Sequence, residues 1–305
     1  MYLPDAEIGF LTETYLSKKF NSVHSALTVN ANVIPNEDLI AAISNLENNQ
    51  SLVVEDYIIA SYGDGNEKVK FIGEKPVILM ERWNIFQFNH LVLEQDFKAY
   101  TANKISQKLS STNTLIGNPS DLFIEEGAFV EGAILNTNEG PIYIGREAEV
   151  MEGSLIRGGL ALCTNASLKL GTKVYGASTI GPNCKIGGEI NNVIFQAYSN
   201  KGHDGFLGNS IIGEWCNLGA DTNTSNLKNN YSNVKTYSYK AKTEVHTEVQ
   251  FMGLCMGDFS KSGINTMFNT ASTVGVSCNV FGSGFPAKYI PSFSWVNSLH
   301  TEVFK

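Results

Sequence analysis

The chain has 305 residues, 43% of them hydrophobic and 17% charged. That length holds one large domain or two ordinary ones, and that composition excludes a disordered chain. A net charge of −8 and a pI near 5.2 argue against a nucleic-acid partner, which needs a basic face.

From the N-terminus, residues 1–110 read as mixed α/β. MYLPDAEIGFLTETYLSKKF lacks the basic start and apolar run of a signal peptide. TETYLSKKF reads as a short helix and ALTVNANVI as a strand. Asn36 caps a helix over EDLIAAISNL, with acidic residues in its first turn. SLVVEDYIIASY and KPVILM read as strands, and ERWNIFQFNHLVLEQDFKAYTANKI as mostly helix. No stretch of about 18 apolar residues suggests a membrane helix.

Beyond about residue 120 the rhythm changes. Ile144, Val150, Ile156, Leu162, Leu168, Val174, Ile180 and Ile186 stand six apart, and all are aliphatic. A period of six is neither the 3.6 of a helix nor the 2 of a strand. It is the period of short strands bent at corners, three hexads (about 18 residues) making one triangular coil. The register returns at Phe206, Ile212 and Leu218, and again at Phe268, Val274 and Val280. The expected fold is therefore mixed: an α/β domain over 1–110, a parallel β-helix of hexapeptides over 111–295, and a tail over 296–305. Segments 120–143, 190–205 and 222–250 are expected to leave the prism as loops, where function concentrates.

The five cysteines are odd in number and form no C-x-x-C pair. They read as reduced thiols of a cytoplasmic protein, not as a disulfide frame or zinc site. The five histidines, His24, His90, His203, His246 and His300, lack the H-x4-H spacing of a γ-class carbonic anhydrase, which shares the prism.

Strict hexads of this kind resemble the left-handed β-helix acyltransferases. The segment KGHDGFLGNSIIGEWCNLGADTNTSN is similar to the acetyltransferase site of the bifunctional N-acetylglucosamine-1-phosphate uridylyltransferase / glucosamine-1-phosphate N-acetyltransferase family. The matching positions are His203, Gly208, Ile212, Asn217-Leu218-Gly219-Ala220 and Asn226. GFPAKYIP, residues 284–291, resembles the P-A-K ending of these enzymes. ERWNIFQFN and DFKAYT resemble the end of a sugar nucleotidyltransferase domain, and the whole chain resembles a divergent branch of this family. Residues 1–60 hold no Gly-rich phosphate loop followed by Arg or Lys. The expectation drawn from this is a shortened N-terminus and an inactive nucleotidyl-transfer half.

The resemblance implies transfer of an acetyl group from acetyl-CoA to a sugar amine, with sugar phosphate and acetyl-CoA as partners and a homotrimer as assembly. His203 is the implied general base, because an imidazole titrates near neutral pH. Asp204 is expected to orient it, and Asn217 and Asn226 to bind the sugar or the tetrahedral intermediate. Backbone N–H groups at Gly219 and Ala220 are candidate oxyanion donors near the cofactor. Lys201 is expected to meet the sugar phosphate and Lys288 the CoA phosphates. Trp215 reads as packing, at a subunit contact. Phe206 stands where the better-known members have Tyr. Gly187 stands where Arg is expected, and 190–198 contains no Lys, which leaves Lys185 or Lys201 as substitutes. The rival reading is a sugar-1-phosphate nucleotidyltransferase whose prism only assembles subunits. Mg2+ belongs to that rival alone. The role of 228–250, polar and rich in Lys, is open.

Overall fold

The structure is a computed structural model that describes residues 7–20, 25–297 and 301–303. The chain divides into two compact units, Met1–Arg82 and Trp83–Lys305. The first holds a four-stranded sheet in the order 27–29, 57–62, 50–54, 67–70. Helix α1, Glu37–Ser44, starts where expected: the Leu39 amide donates to Asn36 Oδ1 at 2.8 Å. Three expectations need correction. SLVVEDYIIASY is a hairpin, because Glu55 takes φ 54° and turns the chain between strands 50–54 and 57–62. ALTVNANVI breaks into strands Leu27–Val29 and Val33–Ile34. Within TETYLSKKF only Thr14–Leu16 is helical, as a 3-10 turn. A strand at Glu67–Lys70 escaped notice. Its residues are almost all charged, which suits the sheet edge it occupies.

Helix α2, Asn84–Thr101, falls in the second unit, so the division lies earlier than residue 110. It lies on the outside of the β-helix. Asn89 Nδ2 donates to the Ala177 carbonyl at 2.9 Å and Thr179 Oγ1 donates to Asn89 Oδ1 at 3.0 Å. Phe86 is buried with Ile211, Val234 and Met252.

The rest of this unit is the left-handed parallel β-helix that the hexads imply. Ile144 pairs with Leu162 and Leu162 with Ile180, while Val150 pairs with Leu168 and Leu168 with Ile186. Each step is 18 residues, so each coil brings like side chains into vertical register. All eight hexad aliphatics are at most 2% exposed. A second inward position lies two residues before each of them. Ala148, Ser154, Ala166, Thr172, Ser178 and Cys184 fill it and are at most 1% exposed. Before Ile144 and Leu162 it holds Ile142 and Leu160, both fully buried, and at the other six only small side chains. Their hydroxyls reach corner carbonyls: Ser154 Oγ donates to Met151 O at 2.7 Å and Thr172 Oγ1 to Lys169 O at 2.6 Å. Cys184, Cys216 and Cys278 take the same kind of position, and all five cysteines are free. Burial pushes the Cys184 and Cys216 thiols up to about 11, which makes them poor nucleophiles.

The expected loops are mostly rungs. Within 120–143 the strands Leu122–Ile124, Phe129–Val130 and Ile134–Asn136 already belong to the prism. The hexad is hidden there because inserted residues between Leu135 and Ile142 shift its phase; both of these are fully buried. Within 190–205, strands Glu189–Phe195 and Asn200–Lys201 also stay on the prism. Phe206 is half-buried rather than inward, because Glu189 pairs with Phe206 and buried Ile190 with buried Leu207. Only 225–250 leaves. It forms an antiparallel hairpin of Lys235–Ser238 and Thr243–His246, closed at its base by a bridge between Leu227 and Phe251. At the other end, Thr301–Val303 of the expected tail folds back antiparallel on the last rung, Ser294–Val296.

Candidate functional site

The site begins with a change in coil length. Ile186 pairs with Lys201, only 15 residues on, where every earlier coil on this face takes 18 or more. The shortened coil ends in the turn that carries His203. The corner beside it is a groove. Met151, Lys169 and Leu170 bound one end; Gly187, Gly188 and Gly202 form the floor; His203, Asp204, Ala220 and Asp221 close the other end. The glycines are a steric requirement. A Cβ at Gly187 would lie 2.6 Å from the Gly202 carbonyl oxygen, and Gly188 has φ +73° with its Cβ position 2.8 Å from the Gly205 oxygen. The Arg expected at 187 therefore has no room.

His203 and Asp204 are both exposed in the groove. No hydrogen bond joins them, so Asp204 does not orient the imidazole as expected; its carbonyl instead accepts from the Asp221 amide at 3.0 Å. The Gly219 amide is not a free oxyanion donor. It donates to Ser262 O at 3.0 Å within the ladder, while Ala220 lines the groove. Asn217 projects outward from the neighbouring face, in register with Asn200 and Lys261, and does not line the groove.

Phe206 and Asn226 meet elsewhere. A Cβ at Gly208 would lie 2.6 Å from Phe206 Cζ and 2.7 Å from Asn226 Nδ2, so Gly208 makes room for both. Asn226 Nδ2 donates to Asn209 Oδ1 at 2.8 Å, and the Phe206 amide donates to Asn223 Oδ1 at 2.8 Å. Lys288 is engaged by the hairpin: its ammonium donates to Lys235 O at 2.8 Å and lies 3.7 Å from Glu244 Oε1. Trp215 is about half exposed and stacks on Tyr198, with centroids 4.7 Å apart.

Lys201 is the main correction. It is 1% exposed and points into the prism, so it does not present its ammonium to a phosphate in the groove. Burial pushes its pKa down to about 8, against the opposing pull of Asp204 and Asp221. The structure thus brings together His203, Asp204 and Ala220, and leaves Asn217, Lys288 and the Phe206–Asn226 pair outside the groove. Sequence reading missed Lys169, Gly188 and Asp221. Their signal was phase: Lys169 follows the inward Leu168, Gly188 stands two after Ile186 and His203 two after Lys201, so all face one corner. Of the other histidines, His90 lies on α2 and His246 on the hairpin, neither lining this groove, and His24 and His300 lie outside the described residues.

Fold and site together define a hexapeptide-repeat β-helix protein, with an α/β unit in the first 82 residues. The resemblance to the bifunctional GlmU-like family is borne out by sequence comparison. Residues 1–105 match the family model described as sugar nucleotidyl transferase. The bifunctional protein GlmU of Methanocaldococcus jannaschii is 31% identical over 117 residues, 38% of this chain and 28% of that protein. The GlmU of Trichodesmium erythraeum is 31% identical over 123 residues, 40% of this chain and 22% of that protein. The chain thus spans about a quarter of the length of these curated relatives. Among solved structures, the polySia-specific acetyltransferase NeuO aligns at 11% identity over 64% of this chain and 82% of its own, with a TM-score of 0.28. A score that low bears on neither fold nor chemistry.

Proposed function

We propose that the β-helix is an acetyl-CoA-dependent N-acetyltransferase acting on an amino-sugar phosphate of the glucosamine 1-phosphate type. The observation that carries this reading is the exposed imidazole of His203 at the end of a glycine-floored groove. The resemblance of residues 199–226 to the acetyltransferase segment supports it. In the reaction the neutral sugar amine attacks the thioester carbonyl carbon. The new N–C bond forms, His203 takes the amine proton, the C–S bond breaks, and CoA leaves as the thiolate. A thioester is already activated, so the prism's task is to hold amine, imidazole and carbonyl in line. Asn217, Asn226 and Phe206 are supplied to the acceptor, in this proposal, by faces that flank the His203 corner. The assembly proposed is a homotrimer with the groove shared between neighbouring prisms. Five free thiols fit a reducing compartment.

A second reading rests on the match of residues 1–105 to the sugar nucleotidyl transferase model. In it the prism serves assembly alone and His203 is dispensable. The test is CoA release from acetyl-CoA with glucosamine 1-phosphate. The expected outcome is release that falls by about 10²–10⁴ in His203→Ala. Equal release in the variant removes His203 as base. No release, together with no acetyl-CoA binding, leaves the second reading.

A further inference from the structure

Lys201 sits where a core aliphatic belongs. It is the register partner of Ile186, and Leu218 holds the corresponding place on the next rung, after Asn217, the partner of Asn200. Its side chain ranks among the largest that are fully buried. The ammonium donates to Gly187 O at 3.2 Å and to His203 O at 2.9 Å. The Gly187 amide returns a bond to Lys201 O at 2.6 Å. Both carbonyls that hold the ammonium belong to residues lining the groove. The carboxylates that act on it are Asp204, from its own turn, and Asp221, from the next rung.

A buried ammonium costs stability that an aliphatic side chain would not. The prism uses aliphatics at this position immediately before and after. The cation is therefore kept at a cost, and its bonds go to the two rungs that form the groove. The neighbouring residues of the turn are held by backbone amides, Asp204 O by Asp221 at 3.0 Å and Gly205 O by Glu189 at 3.2 Å, while the bond described on His203 itself comes from Lys201.

We propose that Lys201 is a positioning residue: its ammonium ties the carbonyls of Gly187 and His203 together from within the prism and so fixes where the His203 imidazole stands. The tie is a feature of the fold. Only its consequence for turnover rests on the acetyl-transfer reading.

The test compares the full-length wild type with Lys201→Met and Lys201→Leu, both of which fill the space without donating. Amide hydrogen exchange at 202–205 is expected to speed up about tenfold in both variants, with rungs 142–168 unchanged. In NMR, the His203 imidazole resonances of both variants at one fixed pH are displaced from those of the wild type. Exchange at 202–205 within about twofold of wild type overturns the proposal. So do unaltered imidazole resonances, or faster exchange that extends equally to 142–168. In turnover, kcat falls while KM for acetyl-CoA holds. A wild type that releases no CoA removes the acetyl-transfer reading, and the exchange and resonance results still decide the tie.

Discussion

Compare the rungs at 142–186 with the coil at 186–201. The first obey one rule: 18 residues per coil, an aliphatic inward at each hexad, and a small residue two before it except at Ile144 and Leu162. The second breaks the first two terms within one turn, while Ser199 keeps the small position. It is three residues short, carries a lysine inward, and replaces the corner side chains by glycines. The regular rungs are a device for burial. The broken coil gives up burial to hollow a groove and set one imidazole in it. Regular burial and the groove are thus built from adjacent coils of one prism.

That contrast predicts effects of opposite sign at equivalent positions. In a regular rung, Leu162→Ala leaves a cavity under a ladder with no freedom to collapse. It should lower stability by about 2–5 kcal/mol in chemical denaturation, with the His203 turn unaffected. A loss below about 1 kcal/mol would mean that the coils can relax, and that the groove needs another explanation.

In the broken coil the apolar substitution should stabilise. Lys201 has a folded pKa of about 8 against an ordinary 10.5. Below pH 8 both folded and unfolded chains carry the proton, and the folded state bears the full cost of the buried charge. Between these values the unfolded chain binds more protons, so stability rises with pH. The shift corresponds to roughly 3 kcal/mol. Lys201→Leu should therefore be more stable than wild type at pH 7, with the gap closing toward pH 10.5. The difference between the two proteins is the quantity to measure, since buried thiols and tyrosines titrate in the same range in both. A variant less stable than wild type at pH 7 would mean that the ammonium contributes more through its two carbonyls than it loses by burial.

The glycine floor gives a third, smaller effect. Gly187→Ala sets a methyl 2.6 Å from the Gly202 oxygen and 3.1 Å from the His203 amide nitrogen, all of it backbone. Overpacking of this kind costs about 1–3 kcal/mol. It should also displace the His203 turn, visible as a shift of its imidazole resonance. No shift would show that the corner has slack.

How much of this was legible in the sequence follows the same division. The eight aliphatics at 144–186 declared the fold because burial there is strictly periodic. The small inward residues went unread: Ser154, Thr172 and Ser178 look like surface residues until their hydroxyls are seen bonded to corner carbonyls or backbone amides. The rungs before 142 were taken for loop because an insertion shifted their phase. Lys201 was read as a phosphate ligand, open to the groove, because lysine is almost never buried unless paired. What pairs it, two backbone carbonyls brought close by a short coil, exists only in three dimensions. His203 was found through resemblance, and its neighbours Lys169 and Asp221 were not, since only the coil length says which residues share its corner.

One corner column extends the comparison to its weakest terms. In regular rungs the left-handed corner residue is Glu147, Asn165 or Asn183, at φ 55°, 56° and 59°. Asparagine tolerates this backbone at little cost. In the short coil and just past it the same column carries Tyr198 and Trp215, at φ 52° and 56°, where bulky residues are strained. Their rings stack within 8° of parallel. Replacing Trp215 by Asn relieves about 1 kcal/mol of backbone strain and loses a stack of about 0.5–1.5 kcal/mol. The two nearly cancel, so Trp215→Asn should leave the denaturation midpoint almost unmoved. Asn183→Ala, which gains no stack and adds strain, should lower stability by about 1 kcal/mol. If Trp215→Asn instead costs more than Asn183→Ala, the aromatic pair is holding the broken coil in place, and the line between burial and function must be drawn one corner further out.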